Sequence, residues 1–403
     1  MTKKKAEQKT GQRRRGNEIA GLRPFKRVSI NIALLCAAVF AIVVALAFIG
    51  ENSDAFVSHY GGALSEIVGD PVPPPPPWPA PLDKPTYNAK LLFLAHAPTT
   101  TPLIARADVS STTPKHAAVY SATTSVSIAG KVWPHPTVYP EGGAILPFHR
   151  IVAYYGNFYS KQMGVLGEYS EDVVLQKLAS TSAAWATADP TTPVIPAIQY
   201  IAVVAQGSAG KDGMWRLRMP DSEIDKALAM ALSLHGLLFL DVQVGKSTLQ
   251  AELPELVKYL SMPDVELGID PEFSMKYGNA PGTVIGTFDA KDINYAANYL
   301  AELVRANHLP PKVLVVHRFT EDMVGHAANI TPVPEVEVVM NMDGWGSQAK
   351  KIGTYTYVVA PQPVQFTGLK LFYHADLKPP STGLLTMQQV LNLTPAPIYI
   401  QYQ

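Results

Sequence analysis

VELGIDPEFSM, residues 265–275, is a short, largely apolar run that stops at a carboxylate, a proline and a second carboxylate. Such a segment reads as a parallel strand covered on both faces, with acidic residues emerging at its carboxyl end. The design recurs. LLFLDVQVG (237–245) carries Asp241, KVLVVHRF (312–319) ends in His317 and Arg318, VEVVMNMDGWG (336–346) in Asp343, and LKLFYHAD (369–376) in His374 and Asp376.

Working outward, RIVAYYGN (150–157) and TPVIPAIQYIAVVAQ (192–206) precede these runs as first and second strands, and PIYIQYQ (397–403) follows as the eighth. Helical stretches separate them: Glu171 to Ala188 with Ser170 before it, Asp221 to Leu234, STLQAELPELVKYL, and the amphipathic GTFDAKDINYAANYLAELVRANHL. EDMVGHAANI, SQAKKIGTYTYVV and TMQQVLNL supply shorter ones, and SAGKDGMWRLRMP reads as a long loop. Strands alternating with helices, each strand ending in titratable groups, predict an α/β fold: a (β/α)8 TIM-barrel-like domain over 149–403, its site at one rim. An eighth helix after PIYIQYQ is expected to be missing or replaced by an upstream segment.

The 403 residues hold 33 basic and 33 acidic side chains, but unevenly. Residues 1–27 carry ten Lys and Arg against two Asp and Glu, which leaves the remainder acidic by eight charges. An acidic body argues against binding a nucleic-acid backbone, which calls for a basic face. VSINIALLCAAVFAIVVALAFIG (28–50) is long enough to cross a bilayer, whose core takes about 20 apolar residues. Its basic amino flank places that side in the cytoplasm and the main domain outside, as a single-pass anchor in a cell membrane. Ala45-Leu46-Ala47 offers a cleavage site, but the apolar run exceeds a usual signal core. Cys36, the single cysteine, lacks the small preceding residue of a lipoprotein signal and excludes intrachain disulfides. PVPPPPPWPAP (71–81) cannot be helical and predicts a stiff stalk over 51–86. Residues 87–148, rich in Ser, Thr and Pro, read as a lead-in with strand-like pieces such as KLLFLAHA.

Asp241, Asp270, Glu272, Asp343 and Asp376 are the candidate catalytic residues. Hydrolysis of a glycosidic bond uses two carboxyl groups, one protonated to donate to the leaving oxygen and one ionised as base or nucleophile. Glu272 is expected to be the acid with Asp270 as its orienting partner, and Asp343 or Asp376 the second group. Tyr154, Tyr155, His317, Arg318, Trp345 and His374 are the candidate binding residues, the aromatics as plates for the apolar faces of sugar rings. The expected ligand is therefore a polysaccharide. Two alternatives stand beside this: a non-catalytic envelope binding protein, and a metal-dependent hydrolase using His317 or His374 with the acids. The second lacks any H-x-H or H-E-x-x-H spacing. GKST (245–248) lacks the earlier glycine of a phosphate loop, position 240 being Leu, so it reads as a helix start and no cofactor is expected.

AYYGN (153–157), MGVLGEY (163–169), DPEFSM, VVHRFT (315–320), MDGWG (342–346) and PIYIQYQ together resemble a group of bacterial exported or membrane-tethered proteins. The resemblance covers about residues 140–403; it implies a bacterial source and a (β/α)-barrel-like domain, and carries no reaction or catalytic residue. The layout is also loosely similar to glycoside hydrolase barrels that take an acid from strand four and a nucleophile from strand seven. Glu272 or Asp270 and Asp376 fall at those places, although no Asn-Glu pair ends strand four.

Overall fold

A computed structural model of the chain describes residues 79–96, 133–134 and 137–403. The basic arm, the apolar run at 28–50 and most of the proline stretch lie outside the described residues.

Eight parallel strands close into a barrel: β1 (Arg150–Gly156), β2 (Val194–Ala205), β3 (Leu237–Val242), β4 (Val265–Ile269), β5 (Lys312–Arg318), β6 (Val336–Met342), β7 (Phe366–Leu371) and β8 (Tyr399–Tyr402). Each pairs with its chain neighbours, and β1 closes the ring on β2 and β8, with Tyr154 opposite both Ile198 and Tyr402. Helices flank the strands. The chief ones are α1 (Lys84–Leu94), α2 (Glu171–Ala188), α3 (Asp221–Ser233), α4 (Ala290–Asn307), α5 (Gln348–Thr354) and α6 (Met387–Leu391). Local chemistry sets several of their ends. Asp289 and Asp292 form a reciprocal capping box on α4, Thr386 and Gln389 one on α6, and Thr248 caps the turn after GKST.

The core is two shells. Outward-facing residues such as Val152, Ile198, Leu240, Leu267, Val316 and Met340 pack under the helices. Inward-facing ones such as Ile151, Ala153, Phe239, Val315, Val339 and Phe366 fill the barrel. Burying each of the larger of these side chains contributes about 1.5–3 kcal/mol, which the inward set concentrates in the amino-terminal half of the barrel.

Sequence expectation and structure part at four places. Within KLLFLAHA, residues 90–94 are not a strand but the last turns of α1, which Asp83 caps and Pro85 opens in its first turn. It closes the amino-terminal end of the barrel: Tyr87, Leu91 and Leu94 join the inner shell, and the Leu94 carbonyl accepts from Ala396 N–H at 2.8 Å. α1 thus straddles the expected boundary at residue 86. STLQAELPELVKYL breaks into Leu249–Glu252, a tight turn at Leu253–Leu256 and Val257–Leu260, because Pro254 removes an amide donor. EDMVGHAANI is two separate turns about a short strand, Val324–Gly325. Within the long loop, Arg216–Arg218 forms a short antiparallel strand on β2, held where Arg216 Nε and Arg218 Nε donate to buried Glu252 at 2.8 and 2.7 Å.

Candidate active site

Strand alternation decides which side chains reach the barrel interior. Climbing towards the carboxyl ends, an apolar filling interrupted by the buried carboxyls of Glu266 and Glu337 gives way to a polar level at Gln199, Asp241, His317, Asn341 and Gln401, all buried. Glycines make the room for this level. A Cβ on Gly268 would lie 2.3 Å from Asp241 Oδ1 and 2.6 Å from Gln199 Nε2, and one on Gly368 would lie 2.7 Å from Asn341 Oδ1. Above it Tyr155, Gln243, Asp270, Asp343 and Lys370 reach the mouth, where a cavity of about 610 Å³ opens. Glu272 and Trp345 complete its wall, together with Gln403, whose N–H donates to the Leu371 carbonyl at 2.9 Å.

The charges form an alternating chain. Lys370 Nζ pairs with Asp343 Oδ1 at 3.1 Å, Asp343 Oδ2 with His317 Nδ1 at 3.1 Å, and His317 Nε2 with Asp241 Oδ1 at 3.1 Å. Asp241 also accepts from Gln199 Nε2 at 2.8 Å and from the Tyr155 hydroxyl at 3.0 Å. Lys370 Nζ sits 3.7 Å from the centre of the Tyr155 ring. Burial opposes charge on His317, yet the two flanking aspartates prevail and raise it to about 10, so it is an imidazolium at neutral pH. Burial likewise works to raise Asp343, but Lys370 and His317 outweigh it and hold Asp343 below its usual value. Both His317 nitrogens are thereby spent on carboxylates, leaving no lone pair for a metal. Among the described residues no group of three His, Cys, Asp or Glu is arranged to hold one.

Glu272 differs. It is half-buried, and its carboxyl makes no hydrogen bond or ion pair among the described residues. Burial first, and the Asp343 charge second, push it up to about 7 against the pull of Lys370 and His317. Asp270 is raised well above its usual value, chiefly by burial. These two share the cavity, though not along an extended chain. Asp270 caps a tight turn, Pro271–Phe273, its Oδ1 accepting from Glu272 N–H at 3.1 Å while its Oδ2 accepts from Gln243 Nε2 at 3.3 Å.

Of the residues singled out in the sequence, Asp270, Glu272, Asp343, Tyr155 and Trp345 line the cavity, and Asp241 and His317 lie directly beneath it. The others do not reach it. Tyr154 has the opposite parity to Tyr155 and packs outside the barrel, its hydroxyl 2.8 Å from that of Thr181. Arg318 alternates outward from His317, and its Nη1 donates to Gln362 Oε1 at 3.0 Å. His374 is exposed and pairs with Glu168 at 3.0 Å. Asp376 lies on a turn, Ala375–Leu377, where the chain has left the strand; it pairs with buried Lys351 at 3.0 Å and accepts from Gly346 N–H at 2.9 Å. Lys351 Nζ in turn donates to the Gly344 carbonyl at 2.7 Å, so this pair ties down the segment carrying Trp345.

Sequence reasoning passed over Lys370, Gln199 and Gln243. The signal for Lys370 was present: a lysine at the centre of GLKLF, in a strand otherwise built for burial. No protein-family model matches this chain, and no curated protein matches it.

Proposed function

We propose that the mouth of the barrel hydrolyses a glycosidic bond, with Glu272 as general acid and Asp343 as the ionised carboxylate opposite it. One observation carries the reading. A carboxyl without a partner among the described residues and raised to about 7 shares a cavity with a carboxylate that two cations hold ionised. Glycoside hydrolysis needs that division of states. Glu272 protonates the leaving oxygen as the bond breaks. Asp343 stabilises the positive charge developing on the sugar, and either activates water or adds to the sugar carbon before water releases it. Asp270 fixes the turn that presents Glu272. Trp345, 52% exposed at the cavity wall, offers a plate for a sugar ring. The apolar run at 28–50, with its basic flank, is proposed to tether this domain outside a bacterial membrane, facing envelope or environmental polysaccharide.

The test is release of reducing ends from a panel of polysaccharides by the full-length chain. Glu272→Gln is expected to lower turnover by at least about a hundredfold, the scale of general acid catalysis. Full activity in that variant would remove Glu272 from the chemistry.

A further inference from the structure

We propose that the saccharide held at the mouth carries anionic groups, carboxylate or sulfate, recognised beside Trp345 by Lys350 and Lys378. This rests on the hydrolase reading only in taking a saccharide as the occupant.

Trp345 stands at the cavity wall with two ammonium groups against its indole, Lys350 Nζ at 4.9 Å and Lys378 Nζ at 5.6 Å from the ring centre. They arrive from different parts of the chain, Lys350 from α5 and Lys378 from the segment after the turn Ala375–Leu377. Both are exposed, and neither pairs with a carboxylate among the described residues. The deeper lysines nearby are matched, Lys370 by Asp343 and Lys351 by Asp376. One lysine over an indole is favourable by itself. Two on the same indole repel each other, since they stand within about one screening length at 0.1 M salt. An anion placed beside the indole relieves that repulsion while a sugar ring covers the apolar face.

The interior does not oppose such a ligand. Asp241 and Asp343 are balanced by His317 and Lys370, while Asp270 and Glu272 are both pushed towards their neutral forms, chiefly by burial. The cavity is thus close to neutral at its floor and positive at the Trp345 edge, which suits a polymer bearing regularly spaced negative groups.

The experiment is calorimetric titration of the full-length Glu272→Gln chain, so that no polymer is consumed. Four probes are used: a polyuronate, its methyl ester, an unsubstituted glucan and a sulfated glucan. At low salt the polyuronate or the sulfated glucan is expected to bind about tenfold more tightly than its uncharged counterpart, as two surface charge contacts supply. Which one does so separates carboxylate from sulfate. Added salt should erase the difference. Lys350→Gln with Lys378→Gln should erase it too, while affinity for the uncharged polymer is kept. Equal binding of charged and uncharged polymers, or a preference that survives the double substitution, overturns the proposal. Reducing-end release by the unsubstituted chain is read separately. Cleavage of neutral polymer without charge preference overturns this inference and leaves the hydrolase reading standing. Charge-dependent binding with no cleavage of any probe supports the inference and removes the hydrolase reading.

Discussion

Glu272 and Asp343 face one cavity and end on opposite sides of their usual values: the same two cations pull both down, but only for Asp343, which touches them, does that pull exceed the effect of burial. This has a signed consequence for stability. A carboxyl raised from 4.5 to about 7 on folding stabilises the fold in its protonated form; that contribution is complete below 4.5 and is lost as pH rises through about 7. Glu272→Gln is neutral throughout. Its thermal stability should therefore gain on that of the parent between pH 5 and pH 8, by roughly 1–3 kcal/mol or several degrees in melting temperature. Calorimetry across that range checks it, and a large loss of stability at all pH values would mark Glu272 as a structural partner instead. Lys370→Met removes a cation that lowers both Asp343 and Glu272, so both limbs of the pH–rate profile should move to higher pH, by about one unit. The acids of the mouth were legible because each stands where an apolar run ends. Which of Tyr154 and Tyr155, or of His317 and Arg318, turns inward was not. Strands buried on both faces show no alternation from which to read parity.

At the scale of elements, the eight strands were readable from repeated apolar runs, whereas α1 was not. KLLFLAHA is too short an apolar run to separate helix from strand, and what decides it, the cap at Asp83 and the open barrel end it fills, lies outside those eight letters. Tyr87 packs against Phe148 and Phe366 at centroid distances of 6.1 and 6.5 Å, so Tyr87→Ala should cost about 3–5 kcal/mol in denaturant unfolding. The segment bearing Trp345 depends on another buried arrangement. Asp376→Asn strands the Lys351 ammonium and should cost about 3–5 kcal/mol, but replacing both, as Asp376→Leu with Lys351→Met, should cost much less. If the single and double variants are equally unstable, the pair is not what holds that segment.

For the whole molecule, closure is the governing fact, since β8 bonds to β7 on one side and β1 on the other. Removing residues 397–403 leaves two unpaired edges, and the expected outcome is an insoluble chain with no cooperative melting transition. Removing residues 1–78, by contrast, spares α1 and should leave a cooperatively melting domain, whereas a cut at residue 96 should not. Protease added to spheroplasts is expected to digest the chain beyond residue 50 and to spare 1–27; protection of the carboxyl-terminal domain would overturn the proposed topology. The two ends of the described domain also differ in a way that matters at the bench. Its amino-terminal entry at Pro79 and Ala80 lies against Gly142, Gly143 and Pro310, on the face remote from the mouth, whereas Gln403 forms part of the cavity wall. A purification handle or solid support joined ahead of Pro79 leaves the working face clear. Any polypeptide continued past Gln403 starts from the wall of that cavity, so a carboxyl-terminal fusion is expected to crowd the opening through which the proposed ligand would enter.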